Sequence, residues 1–168
     1  RNADVGDRAN DVIRINGNQL CARVVCEGGN LGFTQLARVE YAQTGGKINT
    51  DAIDNSGGVN CSDNEVNIKI LLNEIIIAGD LTEHQRNELL VSMTDEVAKL
   101  VLANNRKQNC ALILTESQAK ENLQMHYRLL QELERDAGLD PAVEYLPDGE
   151  KINLRVSNKQ GFVRPELA

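Results

Sequence analysis

The chain has 168 residues, enough for one domain with a real core or for parts of two. It carries 18 basic and 25 acidic side chains, a formal charge of −7 with no basic block, which argues against binding a nucleic-acid backbone. No run approaches the roughly 20 apolar residues that span a bilayer, and the charged start "RNADVGDRAND" lacks the apolar stretch of a secretory signal.

Cys21, Cys26, Cys61 and Cys110 form no C-x-x-C pair, and neither His84 nor His126 lies near a cysteine in sequence. Buried or incidental thiols in a reducing compartment are expected, with no metal site, no disulfide framework and a cytoplasmic location. A start without methionine and an end at "RPELA", which reads as the beginning of a helix, suggest a piece of a longer protein.

Residues 1–20 are polar, with a turn signal at Asn16-Gly17. "LCARVV" (20–25) reads as a short strand running into the glycine loop "CEGGNLGFTQ" (26–35). Leu36, Val39 and Ala42 then recur at helical spacing from Thr34 to about Gln43, with Gly45-Gly46 as the stop. "KINTDAID" (47–54) is consistent with a second strand. Strand, glycine loop, helix, strand is the order of a β-α-β unit, so an α/β fold is expected here, part of a parallel sheet.

From residue 62 the pattern turns helical. "SDNE" (62–65) has the S-x-x-E form of a capping box, followed by Ile68, Leu71, Leu72, Ile75 and Ile76. "TEHQ" (82–85) opens a second helix, to about Asn104, carrying Leu89, Leu90, Met93, Val97, Leu100 and Val101. "NNRKQNCALILT" reads equally as a loop or as more helix. A third stripe, Ala119 to Ala137, stops at Gly138, and "LPDG" (146–149) is a turn. The last twenty residues are ambiguous.

Gly28 and Gly29 give the first loop a permissive backbone beside which a ligand can approach closely. Asn30 adds two donors and an acceptor, and Glu27 offers a carboxylate of the kind that accepts from a ribose hydroxyl. Spacing alone still favours a plain turn. "DAIDNSGGVNCSDNE" (51–65) repeats the arrangement, with Gly57-Gly58 leading into the expected cap Ser62. A cap serine keeps a hydroxyl proton to donate, and a helix start favours an anion such as a substrate carboxylate. Two glycine loops at one sheet edge make a ligand crevice more credible than either does alone.

These strings resemble the cofactor-domain end of the glutamate dehydrogenases, and more narrowly the large bacterial NAD-specific class. Glu27-Gly28-Gly29-Asn30 matches the family's E-G-A-N with Gly29 for alanine; Asp51 and Asn55-Ser56-Gly57-Gly58-Val59 match its Asp and N-A-G-G-V with Ser56 for alanine. Ser62 and Glu65 match its S-x-x-E and Thr34 its threonine, while Phe33 replaces the usual proline. "GDLTEHQRNELLVSMTDEVAKLVL", "VEYLPD" and "RPELA" extend the resemblance over nearly the whole chain.

The resemblance implies a partial Rossmann-like parallel sheet in the N-terminal third, followed by a mainly α-helical region. Residues 1–61 would be the C-terminal part of an NAD-binding domain and residues 62–168 a helical region leading into a C-terminal helical domain. The activity implied is oxidative deamination of L-glutamate to 2-oxoglutarate and ammonium, with hydride transfer to NAD. Glu27, Gly28, Gly29, Asn30 and Asn55 would bind the cofactor, while Val59 and Ser62 would contact the substrate. The family's catalytic lysine and aspartate belong to another domain, and no G-x-G-x-x-G fingerprint occurs here. The chain alone is therefore expected to be inactive and to hold NAD feebly. Its partners would be the small-molecule substrate and, in the full-length enzyme, further copies of itself, with no nucleic acid and no membrane. Two alternatives remain open: a related amino-acid dehydrogenase, and a helical interaction or assembly module of a larger enzyme.

Overall fold

The structure is a computed structural model that describes residues 6, 9–28 and 32–168. Its helices are α1 (Gln35–Gln43), α2 (Asp51–Asp54), α3 (Ser56–Ala78), α4 (Glu83–Ser117), α5 (Leu123–Ala137), α6 (Gly149–Ser157) and α7 (Arg164–Leu167), preceded by a 3-10 turn at Gly17–Gln19. The chain forms two compact units, residues 1–51 with 111–168, and residues 52–110.

The expected parallel sheet is absent among the described residues. The segment 20–25 and the start of 47–54 meet at one parallel bridge, Val24 with Lys47, where Val25 N–H donates to the Lys47 carbonyl at 2.8 Å. Two short extended segments with no third neighbour do not make a stable sheet. Val24, which a sheet would bury, is 68% exposed. Beyond Asn49 the second expected strand coils into α2. The α/β reading and its Rossmann-like sheet are thus corrected to an all-helical architecture among the described residues.

The first unit is built on α1. Thr34 caps it, its Oγ1 accepting from Ala37 N–H at 3.2 Å. Of the expected Leu36–Val39–Ala42 stripe, Val39 is buried and Ala42 half-buried, but Leu36 is exposed, while Arg38 and Tyr41 are each 1% exposed. Tyr41 lies over Gly46, where a Cβ would come within 2.2 Å of the ring, and its hydroxyl donates to the Ala22 carbonyl at 2.7 Å. Gly17 likewise sits against the Ala37 carbonyl. A second cluster, Leu123, Leu130, Ile152 and Phe162, joins α5 to α6 and the segment before α7. Arg155 of α6 holds α7 through both Glu166 oxygens at 2.7 and 2.6 Å. Gln35 of α1 donates to the Pro165 carbonyl at 2.7 Å, tying α7 back to α1.

The second unit is a helical hairpin. Asn73 meets Arg86 near the turn, while Gly57 meets Val101 and Ser56 meets Asn105 further from it, so α3 and α4 run antiparallel. The turn forms as the sequence predicts. Gly79 ends α3 at φ +85°, a left-handed conformation that strains residues with a Cβ but not glycine. Thr82 and Gln85 then exchange capping-box bonds at 2.9 and 3.2 Å.

One boundary differs from expectation, and one left open between loop and helix is decided as helix. Helix α3 starts at Ser56, so "SDNE" is helix interior: Glu65 pairs forward with Lys69 instead of capping back to Ser62. Helix α4 continues through "NNRKQNCALILT" to Ser117. In both places the reason is tertiary. Asn105 donates to the Ile53 carbonyl at 3.2 Å and to Ser56 Oγ at 2.6 Å, holding the early start of α3 against an unbroken α4.

Candidate functional site

The glycine loop is closed by Glu27. Its Oε1 accepts from Gly32 N–H at 2.8 Å, and its Oε2 accepts from Phe33 N–H at 3.2 Å and from Arg38 Nη2 at 2.7 Å. The carboxylate therefore folds back onto its own loop. Gly28 faces open space, with nothing within 4 Å of where a Cβ would stand. Gly29 and Asn30 lie outside the described residues. At Gly32 a Cβ would lie 2.8 Å from Glu27 Oε1, so a side chain there would have to displace that carboxylate.

Arg38, which periodicity passes over as a surface position, lies beneath this loop. Its Nη1 donates to the Asn49 carbonyl at 2.8 Å, Asp51 lies 3.4 Å from Nη2, and the Phe33 ring centroid is 5.7 Å away. A guanidinium stays charged when buried, so it needs this set of partners. The signal in the sequence was an arginine between two apolar helix positions, three residues before Tyr41; its acidic partners Glu27 and Asp51 are 11 and 13 residues away along the chain.

In the other unit, α3 displays Asn55, Val59 and Ser62 at i, i+4 and i+7, which puts them on one side of the helix. Asn55 is half-buried, with its side-chain oxygen over Gly58, where a Cβ would lie 2.7 Å away. Val59 is 52% exposed and Ser62 is exposed. Ser62 is not a helix cap, so a free-donor role rests on its exposure within α3 and no longer on a helix start. Gly57 and Gly58 stand in the first turn of α3; a Cβ at Gly58 would crowd the Asn55 amide, while one at Gly57 would meet Val101 only at 4.0 Å, an ordinary contact.

A concavity of the first unit is lined by Leu36, Glu40, Gln43, Tyr145 and Lys151, among others, and includes none of the predicted site residues. Its cations are committed, Lys151 to Asp148 and Arg155 to Glu166. All four cysteines are exposed, not buried.

Comparison with known proteins identifies the sequence behind this geometry. The family described as bacterial NAD-glutamate dehydrogenase, catalytic domain, matches residues 1–115. The chain belongs to that family. Proteins named NAD-specific glutamate dehydrogenase from Pseudomonas aeruginosa, Halomonas elongata and Mycobacterium tuberculosis are 58%, 52% and 49% identical to it over 166 residues. The match takes in 99% of this chain and 10% of each relative, so the chain spans about a tenth of the length of the curated relatives it matches. The family match takes in both the glycine loop and the exposed α3 face. Among the described residues, no helix is long and apolar enough to cross a membrane.

Proposed function

We propose that the chain is part of an NAD-specific glutamate dehydrogenase, which oxidatively deaminates L-glutamate to 2-oxoglutarate and ammonium. The observation that carries this reading is the side of α3 on which Asn55, Val59 and Ser62 stand together, in a chain of this family. Taken each within its own unit, the residues suit contact with a cofactor: a Cβ at Gly28 would meet nothing within 4 Å, and Gly58 makes room for the Asn55 amide. They do not supply a pyrophosphate cradle. NAD, when bound, takes up the hydride from the substrate's α-carbon.

In this reading Glu27, Gly28, Gly29 and Asn30 form the loop against the nicotinamide ribose, and Asn55 borders the nicotinamide. Val59 lines the glutamate pocket, and the Ser62 hydroxyl donates to the substrate's side-chain carboxylate. No catalytic residue is assigned to this chain, and by itself it is inactive. Residues 1–61 complete a cofactor-binding domain and residues 62–168 lead into a helical one. The full-length enzyme is cytoplasmic and acts on a small molecule as a homo-oligomer, with no nucleic-acid or membrane partner.

The test is Ser62→Ala in the full-length protein. Loss of a hydrogen bond to a charged group, about 1.5–3 kcal/mol, raises KM for glutamate by roughly tenfold or more. KM for NAD stays put. A full-length protein that makes no NADH from glutamate refutes the reading, and an unchanged glutamate KM refutes the role of Ser62.

A second reading, a helical assembly module, is favoured by the exposed apolar residues of the hairpin, among them Ile70, Leu71 and Ile77 on α3 and Val91 and Leu102 on α4. Light scattering on the chain decides it: a strict monomer at high concentration counts against self-association.

A further inference from the structure

We propose that Asn105 is a positioning residue for Asn55: it holds the start of α3 in place of a side-chain cap, and so leaves the Asn55 amide for the cofactor, which Asn105 itself does not touch. This rests on the functional reading above, in which Asn55 borders the nicotinamide. All the groups involved belong to the second unit.

An asparagine just before a helix ordinarily uses its side chain on the first-turn amides, and does so from an extended backbone. Thr34 and Asp148 follow that rule in this chain: Thr34 has ψ 154° and accepts from Ala37 N–H, and Asp148 has ψ 176° and accepts from Lys151 N–H. Asn55 does not. It stands before α3 with φ −92° and ψ 1°, and among the described residues its side chain makes no capping bond. Its carbonyl still accepts from Val59 N–H at 3.0 Å, so the helix ladder starts there. The side-chain oxygen lies over Gly58 instead, where a Cβ would come within 2.7 Å of it.

Asn105 grips the chain on both sides of Asn55. Its Nδ2 donates to the Ile53 carbonyl at 3.2 Å and to Ser56 Oγ at 2.6 Å, so one amide spans the junction of α2 and α3. Asn109 Nδ2 donates in turn to the Asn105 carbonyl at 2.9 Å and to its Oδ1 at 3.4 Å, which keeps Asn105 Nδ2 turned towards α3. Ser56 stands where the family pattern has alanine, and supplies the hydroxyl that this grip uses. With the backbone of Asn55 held short of the extended region, its amide stays off the first-turn N–H groups, and two donors and an acceptor remain for a ligand. Without Asn105, Asn55 relaxes to the extended conformation and caps α3 with the side chain that the cofactor needs.

The test uses the full-length protein with Asn105→Leu, Ser56→Ala, Asn55→Ala and the double variant Asn55→Ala/Asn105→Leu. Ser56→Ala breaks the shorter bond from the α3 side with little change in volume, and decides the matter if Asn105→Leu fails to fold. For Asn105→Leu the NAD dissociation constant measured by calorimetry rises roughly threefold to tenfold, and KM for NAD rises in step. Ser56→Ala moves both in the same direction by about twofold. KM for glutamate stays within about twofold, because Val59 and Ser62 follow the junction along α3 and are held by the helix ladder. On the Asn55→Ala background, Asn105→Leu adds nothing to the loss of NAD affinity, as expected when one side chain acts only through the other.

A merely structural asparagine would lower the melting temperature and leave the NAD dissociation constant unmoved, or would weaken NAD binding equally with and without the Asn55 side chain; either result overturns the proposal. Glutamate KM rising in step with NAD KM overturns it as well. If Asn55→Ala alone leaves NAD affinity unchanged, the role of Asn55 in the functional reading falls and takes this inference with it. If Asn55→Ala weakens NAD binding and the Asn105 and Ser56 variants do not, the inference alone falls.

Discussion

Glu166→Ala tests the first unit's packing most sharply. The Glu166 side chain is 1% exposed and accepts from Arg155 at 2.7 and 2.6 Å and from Val163 N–H at 2.8 Å. Truncation leaves the Arg155 guanidinium, itself 9% exposed, with the Gly161 carbonyl at 3.3 Å and the Phe162 ring at 5.5 Å. Breaking a buried pair from one side destabilises by about 3–5 kcal/mol, because an uncompensated charge stays inside. At roughly 2–4 °C per kcal/mol for a chain of this size, the melting midpoint should drop by roughly 6–20 °C. Thermal unfolding followed by far-ultraviolet circular dichroism reads this directly. The double variant Arg155→Met/Glu166→Met, which removes both charges and keeps apolar volume, should recover much of the loss. A drop under about 1 kcal/mol for Glu166→Ala would show that the pair is solvated in solution, and the argument from burial would fail.

Gly161→Ala should destabilise the same unit by about 1–3 kcal/mol in chemical denaturation, since the new Cβ would lie 2.5 Å from the Ala119 carbonyl carbon, which is backbone and cannot swing aside. Asn105→Ala removes two hydrogen bonds from the start of α3 and should cost about 1–2 kcal/mol, with faster amide exchange confined to the first turns of α3. The Lys151 N–H that Asp148 accepts holds this carboxyl below its ordinary value of 3.8, so the cap's contribution to α6 is present above that value and is lost as pH falls through the lower folded value. Asp148→Asn, which caps without titrating, should flatten that acid dependence of stability, measured by denaturation between pH 5 and pH 2 (a range of about 3 units around the cap's titration).

The sequence was most legible where a local rule acts alone. Thr34, Thr82 with Gln85, Gly79 and Gly138 mark helix ends because a cap or a left-handed residue satisfies backbone groups within one turn. Legibility failed wherever a distant partner decided. "SDNE" has the letters of a cap, yet α3 starts about two turns earlier because Asn105, from the other arm of the hairpin, holds Ser56. The glycine loop was recognisable as a loop, but Glu27 folding back onto the Gly32 amide was not, since that depends on Arg38 from the following helix.

The sequence by itself determined the family, through two short motifs and their order, and it determined most helix ends, because both are written in contiguous residues. It did not determine the strands. The apolar segments 20–25 and 47–54 carry strand letters, but a strand is stable only beside other strands, and the described residues offer a single bridge. Only tertiary structure decided that Arg38 is buried while Leu36 is not, because a charged side chain goes inside where acceptors from separate segments converge on it: here Glu27, Asn49 and Asp51.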